Sequence, residues 1–185
     1  MGSEMCIRDR SYIHSLHSHH PPKESYDEVD ATVSECIRLL IDKPQPHTWL
    51  HCDAIALAFC SHILLQKARV EYLMHVLAQE PPSIHLAEQK EKAELALSYS
   101  RRMTWDMVKV AINKIESEEE VHRLPFAGLC CVLRAGIAVL ETSGCVEEDI
   151  MLKEEMDGFQ RIVGWFAGRY GVGRQFEARL VKLVK

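Results

Sequence analysis

The chain has 185 residues, which suits one domain with a sizeable core. Its 22 basic and 27 acidic residues give a formal net charge of -5. This charge argues against direct binding of the chain to the phosphate backbone of a nucleic acid. The seven cysteines are odd in number and lie mostly in apolar periodic segments, which argues against a secreted disulfide scaffold. We therefore expect a reducing compartment, and no secretory signal is recognised.

The first 24 residues are predicted to form a disordered tail. Residues 4–10, EMCIRDR, resemble the translation of a transposon end used in preparing sequencing libraries, and we interpret them as an assembly scar. The polar stretch that follows is rich in histidine and serine and has too few apolar side chains to offset its ordering entropy. Residues 25–185 are expected to form a helical domain that is the C-terminal portion of a longer protein.

Apolar residues at steps of three and four predict the first two helices. The first begins near Asp27, with Ser25 or Asp27 as N-cap, and ends at KPQP, residues 43–46. A long second helix, straight or kinked, extends from Trp49 to the prolines of QEPPS, residues 79–83, because consecutive prolines cannot continue a helix. The apolar stripe of the first helix is Val29, Val33, Ile37, Leu40 and Ile41.

A third helix is predicted from Ser83 or Ile84, with a charged start and an apolar face further on. Breaks then follow at Pro125 and at TSG, residues 142–144, where the glycine is expected to be a helix C-cap. The predicted buried face of the third helix consists of Leu97, Met103, Met107, Val110, Ala111 and Ile115.

Two amphipathic helices are predicted at the C-terminal end, joined by a turn at GVGRQF, residues 171–176. No segment alternates apolar and polar residues in the manner of a strand. The predicted fold is therefore all-α, a packed array of about six antiparallel helices. The last two stripes are Leu152, Met156, Phe159, Val163, Phe166 and Tyr170, then Val172, Phe176, Leu180 and Val184.

The most apolar stretch, residues 124–144, is interpreted as a core helix rather than a membrane span. The run from Pro125 to Leu140 has only 16 residues, fewer than the roughly 20 that cross a bilayer, and Arg134 lies within it. Its neighbouring cysteines, Cys130 and Cys131, point about 100 degrees apart on a helix, so they are expected to be small buried side chains rather than ligands of one ion.

No metal site is predicted. The candidate ligands His47, His51, Cys52, Cys60 and His62 include one pair at i, i+4 spacing, but the set contains no paired CxxC and no HExxH. Capping, surface or core positions are the preferred interpretation. A second group lies in the tail, where a mobile segment offers no preorganised geometry for a metal; it consists of His14, His17, His19 and His20.

No catalytic or cofactor-binding residue is predicted, and the chain is not expected to be an enzyme. Asp27 and Asp30 in YDEVD are weakly similar to the magnesium motif of helical terpene cyclases, but an acidic first helical turn explains the same residues. GVGRQF lacks the preceding strand and the third glycine of a dinucleotide loop. Trp105 and Trp165 are expected to anchor the core, although aromatic walls could also line a pocket for an apolar effector.

Three segments together resemble the fungal transcription factor regulatory domain, also called the middle homology region. Residues 48–73, TWLHCDAIALAFCSHILLQKARVEYL, resemble the long helix of that family, in which a leucine-histidine pair precedes an apolar run. Residues 124–141, LPFAGLCCVLRAGIAVLE, resemble a later alanine-rich helix that follows a proline and a phenylalanine. Residues 154–183 resemble the closing pair of helices.

The resemblance implies a nuclear regulatory protein that recognises DNA through an N-terminal zinc binuclear cluster. No Cys-x2-Cys spacing occurs in this sequence, so zinc is expected only in a missing upstream module. The implied partners are proteins of the transcription machinery, an inhibitor or a small apolar effector, without direct contact to nucleic acid or membrane. The alternatives are a helical scaffold or adaptor unrelated to transcription and, less favoured, an all-helical enzyme.

Overall fold

The computed structural model of this chain describes residues 25–42, 49–79, 84–145 and 151–184. Within these ranges the chain is helical, and the predicted all-α class is confirmed. The predicted tail and scar in residues 1–24, and the breaks at 43–46 and 80–83, lie outside the described residues. The described helices are α1 (Tyr26–Asp42), α2 (Trp49–Gln79), α3 (Ile84–Lys114), α4 (Glu118–Arg123), α5 (Phe126–Glu141), α6 (Lys153–Arg169) and α7 (Gly173–Leu183).

The described ranges hold seven helices rather than about six because the acidic run before Pro125 forms the short helix α4. A capping box begins this helix: the hydroxyl of Ser117 accepts from the backbone N–H of Glu120, and the Glu120 carboxylate accepts from the N–H of Ser117. These reciprocal bonds satisfy N–H groups that a helix start otherwise leaves without partners. The local sequence S-E-E-E therefore makes an additional helical turn before the predicted break at Pro125.

The predicted glycine C-cap of the helix before TSG is wrong. Helix α5 ends at Glu141, and its C-cap is Thr142, whose hydroxyl donates to the carbonyls of Ala138 and Val139. Gly144 instead lies in a 3₁₀ turn that spans Ser143–Cys145. The threonine hydroxyl satisfies carbonyls at the helix end, so a left-handed glycine is not required there.

Helix α5 is the centre of the bundle and packs against α2, α3 and α7. The segment Phe126–Cys145 is long and apolar enough to cross a membrane by composition, but 61% of the apolar window is buried inside the fold. This agrees with its interpretation as a core helix. Its buried residues are Gly128, Leu129, Val132, Leu133, Ala135, Gly136, Ile137, Ala138, Val139 and Leu140.

Helices α5 and α6 approach closely at a glycine. A Cβ atom added to Gly136 would lie 2.5 Å from Cζ and 2.6 Å from Cε2 of Phe159, so the ring occupies the space beside the missing side chain. Trp105 of α3 meets the same ring edge to face, with centroids 5.7 Å apart. The indole N–H of Trp105 donates to Oε2 of Glu155 over 2.8 Å, which satisfies the polar end of a buried side chain. Trp165, by contrast, is only half-buried.

The GVGRQF segment is a turn between helices, as predicted. Helix α6 ends at Arg169, and α7 begins at Gly173 after a turn at residues 171–172. A Cβ on Gly173 would lie 2.6 Å from the backbone Cα of Ala167, so the two helices can pack this closely only with glycine. The ring of Phe166 contacts Tyr170 and Phe176 within this hairpin, and it contacts Phe126 at the start of α5.

The predicted buried face of α3 is only partly right. Leu97 and Ile115 are buried, but Val110 is 54% exposed and Met103, Met107 and Ala111 are half-buried. The face differs because α3 packs against α2, α5 and α6 and because polar side chains occupy part of its interior surface. The observed buried residues of α3 are Ala93, Leu97, Ser100, Arg101, Thr104, Trp105, Val108 and Ile112.

Apolar stripes also extend beyond the buried surface at some helix ends. Ile41 at the end of α1, Leu152 before α6 and Val184 after α7 were each predicted to continue a buried stripe, but they are 50%, 67% and 48% exposed. Each lies at or just outside a helix terminus, where no described neighbouring helix covers it fully. The apolar stripe in the sequence therefore predicts which side of a helix is buried more reliably than it predicts how far the buried side extends.

Helix α1 has a small core of its own, separate from the main one. Val29 and Val33 are buried against Leu65 and Ala68 of α2, with two half-buried side chains, Tyr26 and Ile37, at the margin. A fully buried valine contributes about 1.5–3 kcal/mol relative to an exposed one. Only a few buried apolar residues therefore attach α1 to α2, and the adjacent part of this interface is polar.

Candidate functional site: a polar seam between α1, α2 and α3

A chain of buried and half-buried polar side chains connects the three helices beside the small core of α1. Nε2 of His62 on α2 lies 3.0 Å from Oδ1 of Asp30 on α1, and Nδ1 of the same ring lies 2.5 Å from Oγ of Ser100 on α3. His62 is 8% exposed, and Ser100 is completely buried. The imidazole therefore bridges α1 and α3 through both of its nitrogens.

Gln66, one helical turn after His62, connects to the same carboxylate. Its Nε2 donates to Oδ1 of Asp30 over 2.5 Å and lies 2.9 Å from Nε2 of His62. Its Oε1 accepts from the hydroxyl of Tyr26 over 2.5 Å. The buried amide thereby binds two side chains of α1 and uses both its donor and its acceptor.

Arg69 extends the polar surface by another turn of α2. Its guanidinium lies over the ring of Tyr26, with Cζ 4.7 Å from the centroid, and over the ring of Tyr72 at 5.7 Å. Its Nη2 donates to Oε1 of Gln89 on α3 over 2.7 Å. We call the resulting cluster the polar seam; it consists of Tyr26, Asp30, His62, Gln66, Arg69 and Ser100.

Helical spacing explains why these residues meet. His62 and Gln66 are four residues apart and share one face of α2, close to the face on which Leu65 and Ala68 receive α1. Asp30 follows Val29 directly, so the carboxylate is carried at the edge of the buried stripe of α1. Apolar and polar contacts therefore lie side by side along the same helix pair.

The order Asp30, His62, Ser100 is that of a hydrolase triad, but the position of Ser100 is structural. Its hydroxyl donates to the carbonyl of Ala96 in its own helix over 2.9 Å, and its side chain has no exposed surface. A catalytic serine needs a substrate carbonyl within reach and donors that stabilise an oxyanion. The contacts of Ser100 instead fasten α3 to His62.

Disrupting the seam costs free energy because its buried members, His62, Gln66 and Ser100, each depend on a partner in it. A buried donor or acceptor left without a partner costs about 1–3 kcal/mol, whereas a satisfied bond contributes only about 1 kcal/mol net. Low surrounding polarity strengthens both effects. The seam therefore fixes one position of α1 on α2. The apolar contacts of two valines alone would define this position less narrowly.

The structure separates the candidate metal ligands of α2. Cys60 lies in the main hydrophobic core, whereas His62 faces the polar seam. Across the described ranges no group of three or more His, Cys, Asp or Glu side chains is arranged to hold a metal ion. His47, the side chains of His51 and Cys52, and the histidines of the tail lie outside the part of the chain that can be described.

The acidic pair of YDEVD is also divided. Asp27 is exposed in the first turn of α1, while Asp30 turns toward His62 and Gln66. Ser25 is the N-cap: its hydroxyl accepts from the N–H of Glu28 over 3.3 Å, and its own N–H donates to the Glu28 carboxylate over 3.1 Å. The two aspartates thus have different roles in the described structure, one at a solvated helix start and one in the seam.

Two thiols lie at the margin of the main core. Burial raises the pKa of the Cys130 thiol, on α5, above its ordinary value. Burial is also the largest cause that raises the pKa of Cys145, in the 3₁₀ turn, although the positive charge of Lys67 opposes it. Both thiols are therefore held in the protonated, weakly nucleophilic form.

Several seam residues had no predicted role. Gln66 and Ser100 lie inside otherwise apolar helical stripes, and Tyr26 precedes the predicted start of α1. A polar residue in an apolar stripe indicates a buried polar contact in general terms. It does not identify the partner, because the partners here are 32 to 40 residues apart in sequence.

The chain matches no protein-family model, no curated protein and no solved structure. The likeness to the fungal regulatory domain therefore depends on the three quoted sequence segments.

Proposed function

We propose that this chain is the C-terminal part of the regulatory domain of a fungal zinc-cluster transcription factor. It acts in the nucleus through contacts with proteins of the transcription machinery, an inhibitor or an apolar effector, and it carries no catalytic centre. Zinc belongs to the upstream module that reads DNA. The regulatory chain itself need not touch nucleic acid, which is consistent with its net charge of -5.

One observation supports this proposal above the others. The three segments that resemble the family coincide with α2, α5 and the α6–α7 hairpin, which together supply most of the main hydrophobic core. The resemblance therefore falls on the helices that determine the fold rather than on scattered surface positions. Fold likeness is an argument by analogy, so function has to be tested directly.

The test is a reporter assay in a fungal cell. The full chain is fused to an unrelated DNA-binding module, and expression from a promoter with matching sites is measured. We expect the fusion to change reporter output severalfold relative to the DNA-binding module alone. The Leu133→Asp variant, which places a charge in the core, should lose the effect. No change in output from a folded, nuclear fusion present at normal abundance would contradict the proposal.

An adaptor role outside transcription is the second candidate, and the outer face of α3 favours it. Leu95, Tyr99 and Val110 lie along one stripe of this helix and are 65%, 60% and 54% exposed. Exposed apolar stripes are typical of protein contact surfaces. A gene whose upstream reading frame lacks a six-cysteine module would favour the adaptor, and one that contains it would favour the regulator.

A further inference from the structure

We propose that the surface of α2 and α3 beneath α1 is a receptor for amphipathic helices, and that a partner helix can replace α1 on it. The partner carries apolar residues at positions i, i+4 and i+8 and an acidic residue at i+1. This inference deepens the proposed function and rests on it only for the view that the chain acts through protein contacts. It names the surface and the chemistry of the partner.

The first step is that α1 is joined to the body as a separate unit. Its buried apolar residues, Val29 and Val33, belong to a small cluster that is distinct from the main core. Its packing is mainly against α2, whereas α5 packs against three helices. Local opening of such a unit requires less free energy than unfolding of the whole domain.

The second step is that α1 carries its own stabilising contacts. Ser25 and Glu28 form reciprocal bonds at its N-terminus. On its exposed side, Arg38 bonds to Glu35 over 2.6 Å and to Asp42 over 2.9 Å, and the Arg38 bond lowers the pKa of the Glu35 carboxyl. These contacts are internal to α1, so they do not depend on the body of the domain. They also involve no residue of the receptor surface on α2 and α3.

The third step is that the receptor surface defines its ligand chemically. Leu65 and Ala68 form an apolar floor for the Val29–Val33 stripe, which gives affinity. Beside the floor, Gln66 and His62 present polar groups to one carboxylate oxygen, which gives specificity. An apolar side chain at this place would leave the buried Gln66 amide without its acceptor, and an amide would accept the same bonds without the negative charge that strengthens them. The acidic residue directly after the first apolar anchor is therefore the distinguishing feature of the ligand.

Hydrogen exchange of the full wild-type chain tests whether α1 opens alone. We expect the amides of α1 to exchange at least about tenfold faster than those of α5. Asp30→Asn should accelerate exchange in α1 and leave α5 unchanged, because it weakens the seam and not the main core. Asp27→Asn is the matched control, and it should change neither helix. Common exchange rates for α1 and α5 would overturn the proposal, since they would show that α1 opens only with the whole domain.

Binding in trans tests the receptor itself. The probe is a fluorescein-labelled peptide of residues 25–42, and the receptor is the full chain with Val29→Asp and Val33→Asp, which eject the internal α1. Anisotropy should show at least about tenfold tighter binding to this variant than to wild type, where the tethered helix competes at high effective concentration. A peptide with Asp30→Asn should bind about tenfold more weakly, while one with Asp27→Asn should bind as well as the original.

Two outcomes of this experiment would overturn the inference. One is a lack of binding to a receptor variant that keeps its helical spectrum and a cooperative melt. The other is loss of that cooperative melt in both the double variant and the milder Val33→Ala, which would show that α1 is integral to the main fold. The reporter assay is independent of both outcomes. A reporter effect without peptide binding would support the proposed regulatory role and rule out the receptor surface. Peptide binding without a reporter effect would favour the adaptor.

Discussion

Helices α5 and α1 are held in this molecule by opposite means. Helix α5 packs against α2, α3 and α7, and all of its buried residues are apolar or glycine. Helix α1 rests on α2 with two buried valines and a seam of polar side chains. Apolar burial is strong but non-directional, whereas a buried polar network specifies position at the risk of a large penalty when one partner is lost. The first region should therefore determine whether the chain folds, and the second should determine where α1 lies.

The largest expected effect is in the apolar region. Leu133→Asp places an unpaired carboxylate at a site in α5 that is 1% exposed, which should cost several kcal/mol of a total stability of roughly 5–15 kcal/mol. We expect the cooperative melt to be lost or its midpoint to fall by tens of degrees, as measured by circular dichroism. A melting curve like that of the wild type would mean that α5 is not the interior of the bundle.

Close packing between α5 and α6 provides the second prediction. Gly136→Ala places a methyl group 2.5–2.6 Å from the Phe159 ring, and the ring is itself confined by Trp105. We expect a loss of about 1–3 kcal/mol in urea unfolding. Gly164→Ala in α6 is the matched control because, apart from the neighbouring backbone of its own helix, no atom lies within 4 Å of the added carbon. That change should stabilise the chain by about 0.5–1 kcal/mol, and equal effects of the two variants would contradict the close approach.

The seam should give a smaller and more local effect. His62→Ala removes the bridge between the half-buried Asp30 and the buried Ser100, at an expected cost of about 1–3 kcal/mol. The loss should appear as faster hydrogen exchange in α1, while α5 stays protected. Asp27→Asn, at an exposed position, should stay within about 0.5 kcal/mol of wild type. A comparable increase in exchange along α5 would show that the two regions are not separable.

The two regions also differ in how far the sequence predicts them. Apolar periodicity predicts α1, α2, α5 and the α6–α7 hairpin because each buries a stripe that repeats every three to four residues. It predicts α3 less well, since Ser100 and Arg101 are completely buried there while Val110 is exposed. A helix that packs against several neighbours buries more than one stripe, and polar residues are part of that surface.

The polar seam could not be predicted from the sequence. Asp30, His62 and Ser100 lie on three different helices, and only the packing of α1 and α3 on α2 brings them together. The i, i+4 spacing of His62 and Gln66 was available in the sequence, but it indicates one face of α2 and not what covers that face. The helix α4 is a different case, because the S-x-x-E capping box at Ser117 is a local signal that could have been used.

The smallest expected effect concerns the thiols at the margin of the apolar region. Burial raises the pKa of Cys130 and of Cys145, so the thiolate that reacts with iodoacetamide should form at higher pH in the folded chain than in urea. Peptide mass spectrometry after timed alkylation would follow each thiol separately. Because the folded state disfavours the thiolate, stability should fall slightly as the pH rises through the ordinary thiol pKa of about 8.5. Alkylation profiles of Cys130 that coincide in the folded and unfolded chains would show that this part of α5 is open to water, and the contrast between an apolar α5 and a polar α1 interface would then weaken.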